Sequence, residues 1–266
     1  MKTFLARVEK RKLLLGVVHL QPLPGSPRNA GRSIESIIAA ARADAEAILA
    51  AGLDGFILEN FGDVPFHGSR VPPHVLTLMT RSALEVPRGQ ALVGVNVLRN
   101  DARGALAVAA ACGLHMIRVN VHTGAMVTDQ GILQGEAAET VREREMLAPG
   151  VAILADVRVK HAYPLGAGFD LRTCARDTAY RGLADTLIVT GAATGSLPPM
   201  DDVKVVRQAV PDRPLLVGSG VTRETVREIL QHADGIIVGT SIKRSGRVEE
   251  PVDLDRAREL VVEARR

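Results

Sequence analysis

Eight short apolar runs, most of them continuously hydrophobic, alternate along the chain with amphipathic stretches, and this rhythm restricts the fold more than any other feature. The runs cover residues 13–19, 55–59, 91–97, 115–121, 152–159, 186–190, 215–218 and 235–238. A strand that is apolar on both faces is covered on both faces, as in parallel sheets wrapped by helices. The amphipathic stretches cover residues 33–51, 74–85, 102–111, 135–147, 171–181, 200–209, 222–231 and 254–266. Several open on capping residues: Ser33 with Glu35 behind it, Asp101 before an alanine-rich run, and Thr222 with Glu224 in its first turn. Gly52, Gly113 and Gly182 fall just past helix ends, where a positive φ is expected.

Eight strand–helix units in 266 residues match an α/β fold of the (β/α)8 TIM-barrel type, one domain spanning residues 1–266. A doubly wound open sheet is the competitor, but it normally carries a glycine-rich nucleotide loop after its first strand. Here that strand runs into "GVVHLQPLPGSP", which contains no such loop.

The last two strands end on glycine. "PLLVGSGVT" breaks at Gly218, Ser219 and Gly220, and "GIIVGTS" breaks at Gly239, Thr240 and Ser241. Glycine lets backbone amides approach an anion closely, and a helix start behind it favours negative charge. Barrels often hold phosphate at the loops after strands seven and eight. Either loop alone would be an ordinary tight turn. Paired at these positions, they predict an anion seat, with Lys243 and Arg244 near enough to add charge.

Strand parity supplies a second expectation, because side chains alternate between the barrel interior and the helix layer. Alternation places Asn96, Arg118, Asn120, Asp156, Arg158, Lys160 and Thr190 toward one lumen, with His19 and Glu59 at the ends of the first two strands. Buried charges must be paired, so a salt-bridge plug made of Arg118 or Arg158 with Asp156 is the alternative to a ligand site. Asp156, Lys160, His19 and Glu59 are expected to carry catalysis. Asn96, Arg118, Asn120, Arg158, His161 and Thr190 are expected to bind substrate. Glu59, Asp63 and Asp156 could chelate Mg2+ if all three converge, but their spacing does not require it and no cofactor is firmly implied. His67, His74, His115, His122 and His232 read as loop or surface residues.

Composition excludes other classes. With a net charge of +3, 33 basic residues spread among 30 acidic ones and only 3% aromatics, the chain lacks the basic stripe and stacking surface of a nucleic-acid binder. Cys112 and Cys174 are isolated and read as core residues in a reducing compartment. "MKTFLARVEKRKLLLGVVHL" resembles a signal peptide only superficially, since no small-residue cleavage site follows. The apolar segment 104–114 is too short to span a bilayer. The expectation is a cytoplasmic homo-oligomer whose partner is a phosphorylated small molecule.

Seven blocks of the sequence, "GVVHLQPLPGSP", "DGFILENFGDVPF", "GVNVLRND", "ADVRVKHA", "LIVTGAATG", "LLVGSGVT" and "ADGIIVGTSIKRSG", resemble the BtpA/SgcQ family over nearly the whole chain. The resemblance implies a phosphate-binding TIM barrel. One branch of that family is associated with photosystem I accumulation in cyanobacteria, the other with a sugar-catabolism gene cluster. It transfers no catalytic residue, and Gly220, Gly239 and Thr240 carry over only as signature positions. Two functions of different class follow: an isomerase or lyase working on a sugar phosphate by general acid/base chemistry, and a non-catalytic assembly factor for a membrane complex such as photosystem I.

Overall fold

In the computed structural model, which describes every residue except Ala167, Phe169, Ala192 and Ala193, the eight apolar runs form eight parallel strands closed into a barrel. They are β1 (Leu13–His19), β2 (Gly55–Glu59), β3 (Leu92–Asn96), β4 (Met116–Val119), β7 (Ala152–Arg158), β9 (Thr186–Thr190), β10 (Leu215–Gly218) and β11 (Gly235–Val238). Each pairs with its neighbours in chain order, and β1 closes the ring on β11, Leu13 opposite Gly235 and Gly16 opposite Val238. Around them lie α2 (Ile34–Ala50), α3 (Pro73–Glu85), α4 (Ala102–Cys112), α5 (Ala137–Leu147), α6 (Leu171–Arg176), α7 (Met200–Ala209), α8 (Val226–His232) and α9 (Leu254–Arg265). This is the TIM barrel expected from the strand–helix rhythm.

Parity also sorts the core. The outward residues of the strands, such as Leu14, Val93, Ile117, Ile153 and Val217, pack with the helices in one large cluster. The inward residues Leu13, Leu15, Ile57, Leu92, Met116, Leu154, Ile188, Leu216 and Ile237 form a second cluster filling the lower barrel. Helix α1 (Lys2–Lys10) closes the bottom of that cluster with Phe4, which is 0% exposed. Burying such a ring stabilises the fold by about 2–3 kcal/mol. Sequence reading missed α1, although Phe4, Leu5 and Val8 share one helical face.

A second sheet was also missed. Strands β5 (Ala125–Thr128), β6 (Gly131–Gln134) and β8 (Ala162–Pro164) form a small antiparallel sheet in the order β6-β5-β8. It has its own core of Val121, Met126, Leu133 and Val159, and it stands at the C-terminal mouth of the barrel.

The expected caps hold at two helices. Ser33 accepts a hydrogen bond from the amide of Ser36, and Asp101 from that of Gly104. Thr222 does not cap a helix: its amide donates to Thr225 Oγ1 in a turn, and α8 starts only at Val226. Gly52 and Gly113 have positive φ as expected, but Gly182 has φ −81 and the left-handed residue is Leu183. Space is what Gly182 provides, since a Cβ there would lie 2.7 Å from Thr123 Cγ2.

Candidate functional site

The top layer of the barrel interior is polar where the lower layers are apolar. Glu59 from β2 accepts hydrogen bonds through Oε1 from Asn96 of β3 at 3.1 Å and Arg118 of β4 at 3.2 Å. Arg118 Nη2 also reaches both carboxylate oxygens of Asp156 on β7 at 3.2 Å, and Asn120 Nδ2 donates to Asp156 at 2.7 Å. The Arg118 guanidinium is thus clamped between two carboxylates, all three buried. Such a bonded network holds its members rigidly. Burial pushes Asp156 up from the ordinary carboxylate range, with Arg118 opposing it.

Two cavities open above this layer. The smaller, about 270 Å³, is lined by Ser219, Gly220, Gly239, Thr240 and Ser241, together with His19, Glu59, Arg118, Lys160 and Arg256. The larger, about 590 Å³, lies under the small β6-β5-β8 sheet, with Phe61, Phe66, Leu98, Val127 and Tyr163 supplying apolar surface and Arg99 and Lys160 supplying charge. Glu59, Arg118 and Lys160 line both.

The two glycine loops, expected to seat an anion, meet at the smaller cavity. The amides of Ser219, Gly220, Thr240 and Ser241 make no backbone hydrogen bond to a described residue, which leaves them for a ligand. Ser219 has φ +65, unusual outside glycine. Gly220, also at φ +65, has a structural reason as well: a Cβ would lie 2.1 Å from the Leu197 amide nitrogen. Gly239 makes room for His19, whose Cε1 would be 2.7 Å from an added Cβ. Gly218 lies at the strand end below the seat and does not line it.

The charged and hydroxyl partners of the seat differ from expectation. Lys243 is buried in an ion pair with Asp44 at 2.8 Å, and Arg244 is exposed outside the cavity. Besides Arg118 and Lys160, the cation lining the seat is Arg256 of α9, anchored by Nε donating to the Ser241 carbonyl at 3.0 Å. It lies one helix further along the chain than the loops, so spacing could not reveal it. Ser241 Oγ donates to the Val221 carbonyl at 2.6 Å, which leaves Thr240 as the available hydroxyl of the pair.

Lys160 stands just past β7 and forms no ion pair among the described residues; its ammonium lies 5.9 Å from the Phe61 ring centre. Burial, and then Arg118, pull its pKa down to about 8, against Glu59 and Asp156. His19 packs edge-on to Phe61 with ring centres 4.7 Å apart, and its Nδ1 is buried without a partner among the described residues. Burial and the nearby Lys243, Lys160 and Arg118 hold it well below the ordinary histidine range, so it is neutral.

Several expected site residues take other roles. Asp156 lines neither cavity; Arg118 and Asn120 use its carboxylate, so it is a counter-ion beneath the site. Arg158 leaves the lumen because the β7–β9 register shifts between Asp156 and Arg158, and its guanidinium pairs with Asp202 of α7 at 3.4 Å. The Thr190 hydroxyl is spent on the Arg158 carbonyl at 2.9 Å. His161 lines the larger cavity and bonds Thr194 at 3.2 Å. His122 is no surface residue: it is buried, with Nε2 2.7 Å from the Gly182 carbonyl.

The imagined Mg2+ ligands do not converge. Glu59 and Asp156 are held by Arg118, and Asp63 instead accepts from the amide of Leu23 at 2.8 Å and from Asn60 at 3.2 Å. Among the described residues no group of three acidic, histidine or cysteine side chains could hold a metal ion. No helix of the described chain is long and apolar enough to cross a membrane.

Known proteins add a lineage to this geometry. The chain is similar to the photosystem I biogenesis protein BtpA of Synechocystis, 48% identical over 90% of this chain and 83% of that one. It is also 44% identical to an uncharacterized protein of Pyrococcus furiosus, over 94% of each chain. Among solved structures it resembles orotidine 5'-phosphate decarboxylase of Pyrococcus horikoshii, with a TM-score of 0.54 at 14% identity over 95% of this chain and 100% of that one. That likeness speaks for the fold alone. A family model described as the BtpA family matches residues 10–266, and with the Synechocystis relative it establishes that this chain belongs to the BtpA family.

Proposed function

We propose that the protein is an enzyme of the isomerase or lyase type that acts on a small phosphorylated metabolite, such as a sugar phosphate. One observation carries this reading: Lys160 lines both the glycine-loop cavity and the larger cavity beside it. A phosphate on the amides of Ser219, Gly220 and Thr240, with Arg256 beside it, brings the adjoining carbons to that lysine.

An amine with a pKa of about 8 can exchange a proton with carbon near neutral pH. Arg118, fixed by Glu59 and Asp156, supplies positive charge where negative charge would develop on a substrate oxygen. If neutral Lys160 is the base, the rate rises as pH rises through about 8. In this reading Asp156, expected to carry catalysis, instead acts through Arg118 and Asn120, which it holds in place.

The test begins with thermal shifts against inorganic phosphate, sugar phosphates and nucleotides, where a ligand at 100 times its Kd adds about 2.7 kcal/mol of stability. Turnover of the compound that shifts the protein is then compared in Lys160→Met. Binding within a few-fold of wild type and turnover lowered by at least about a hundredfold are expected. Retained turnover removes Lys160 from the reaction, and absence of any shift removes the phosphate.

The name of the Synechocystis relative favours a second reading, an assembly factor for a membrane complex. The Pyrococcus furiosus relative, similar over nearly the same length, carries no name of that kind. An assembly factor would keep its activity when Lys160 and Arg256 are replaced.

A further inference from the structure

The larger cavity holds a cation with no protein anion of its own. Arg99, just past β3, is 4% exposed, and Nη2 donates to the Lys160 carbonyl at 2.6 Å. Among the described residues it forms no ion pair, although the buried Arg118 and Lys243 nearby each have a carboxylate: Arg118 has Glu59 and Asp156, and Lys243 has Asp44. Burying a cation unpaired is costly, so a site that keeps one open to a cavity is built for an anion that arrives with the ligand.

The charges around the mouth show how much anion is wanted. Arg118, Arg99 and Lys160 stand against Glu59 and Asp156, and His19 is neutral. The remaining acids do not close the gap. Asp129 is at the cavity rim but exposed, with no ion pair among the described residues, and Asp63 lines a separate small cavity with His67 and His74. Arg158 and Asp202 cancel each other outside the lumen. With Lys160 protonated one positive charge is left over, and with Lys160 neutral none is; either way a single carboxylate on Arg99 fits better than a second phosphate dianion. The Arg99 fork has donors free after serving Lys160, and a carboxylate is the planar partner such a fork accepts.

We infer that the substrate is a phosphorylated carboxylic acid, its phosphate on the glycine loops and its carboxylate on Arg99, with the reacting carbon between them at Lys160. This rests on the phosphate-binding reading proposed above and narrows its substrate class. The apolar lining by Phe61, Phe66, Leu98 and Val127 would then shield the carboxylate–Arg99 contact from water and strengthen it.

The experiment compares isosteric probes that differ only at the terminal group: 6-phosphogluconate against sorbitol 6-phosphate, and 3-phosphoglycerate against glycerol 3-phosphate. Dissociation constants are measured by calorimetry on wild type and on Arg99→Gln. In at least one pair the carboxylate probe should bind wild type about tenfold or more tightly than its alcohol. In Arg99→Gln that preference should fall to about twofold or less while the alcohol's affinity is unchanged. Equal affinities within both pairs, with phosphate compounds still binding, would overturn the carboxylate assignment and leave the phosphate reading standing. A preference that survives in Arg99→Gln overturns the assignment to Arg99. Failure of all four probes to bind overturns the phosphate seat and the two-ended ligand with it. The wild-type comparison decides the carboxylate question even if Arg99→Gln does not fold.

Discussion

The residues that strand parity placed inward are where the fold puts them as far up as Asp156, the fifth position of β7, and then a single bulge breaks the pattern. Asn96, Arg118, Asn120 and Asp156 form one bonded layer, because alternation is a property of regular strands and those strands are regular. Arg158 escapes it at the register shift, and nothing in its own chemistry announces a bulge. Gly220 teaches a similar lesson. Its sequence signature points to an anion, but its Cβ position is occupied by the backbone of residues 196 and 197, so any side chain there disturbs the loop after β9. The anion seat is better probed at Ser219, which lines the cavity at a positive φ that aspartate tolerates. Ser219→Asp should lower phosphate-ester affinity by about tenfold or more while shifting the melting temperature by only a few degrees, since a like charge at an anion site repels. Unchanged affinity in calorimetry would move the phosphate elsewhere.

Among elements, the eight barrel strands were legible because most are buried on both faces, so they read as nearly continuous apolar runs between amphipathic helices. The strands β5, β6 and β8 were not legible: none of them is a continuous buried apolar run, β6 being largely exposed and β8 without a buried residue. They hold together through Val121, Met126, Leu133 and Val159, a core too small to leave a periodic trace. Yet this sheet covers the larger cavity, with Val127, Thr128 and Tyr163 on its lining. Leu133 is 1% exposed and is the main anchor of β6. Leu133→Ala should cost about 2–3 kcal/mol of local packing. Because the barrel strands do not depend on it, hydrogen exchange at residues 125–134 should quicken strongly while the amides of β1 and β2 keep their protection. Equal loss of protection in both regions would mean that the cover and the barrel unfold as one unit.

For the whole molecule, the polar upper layer is a cost that the apolar lower barrel and the Phe4 plug offset, and pH makes that cost visible. Lys160 has a folded pKa lowered from 10.5 to about 8, so between those values the unfolded chain binds more protons than the folded one. Stability of the unliganded protein therefore rises as pH climbs through that window, and the drop corresponds to about 3 kcal/mol. His19 and His122 act in the same sense at lower pH. Both are held below the ordinary value of 6.5 by burial, so the unfolded state takes up their protons first and stability falls as pH drops through 6.5. Urea unfolding at a series of pH values should show both limbs. In Lys160→Met the lower limb should persist, the rise between about pH 8 and 10.5 should vanish, and at pH 7 the variant should be more stable than wild type by up to about 3 kcal/mol. That gain would identify Lys160 as a residue kept at the expense of stability, as expected where a charge serves a ligand. A variant no more stable at pH 7, with the alkaline rise intact, would show that the ammonium is well solvated and would remove the physical basis for a lowered lysine at the mouth of this barrel.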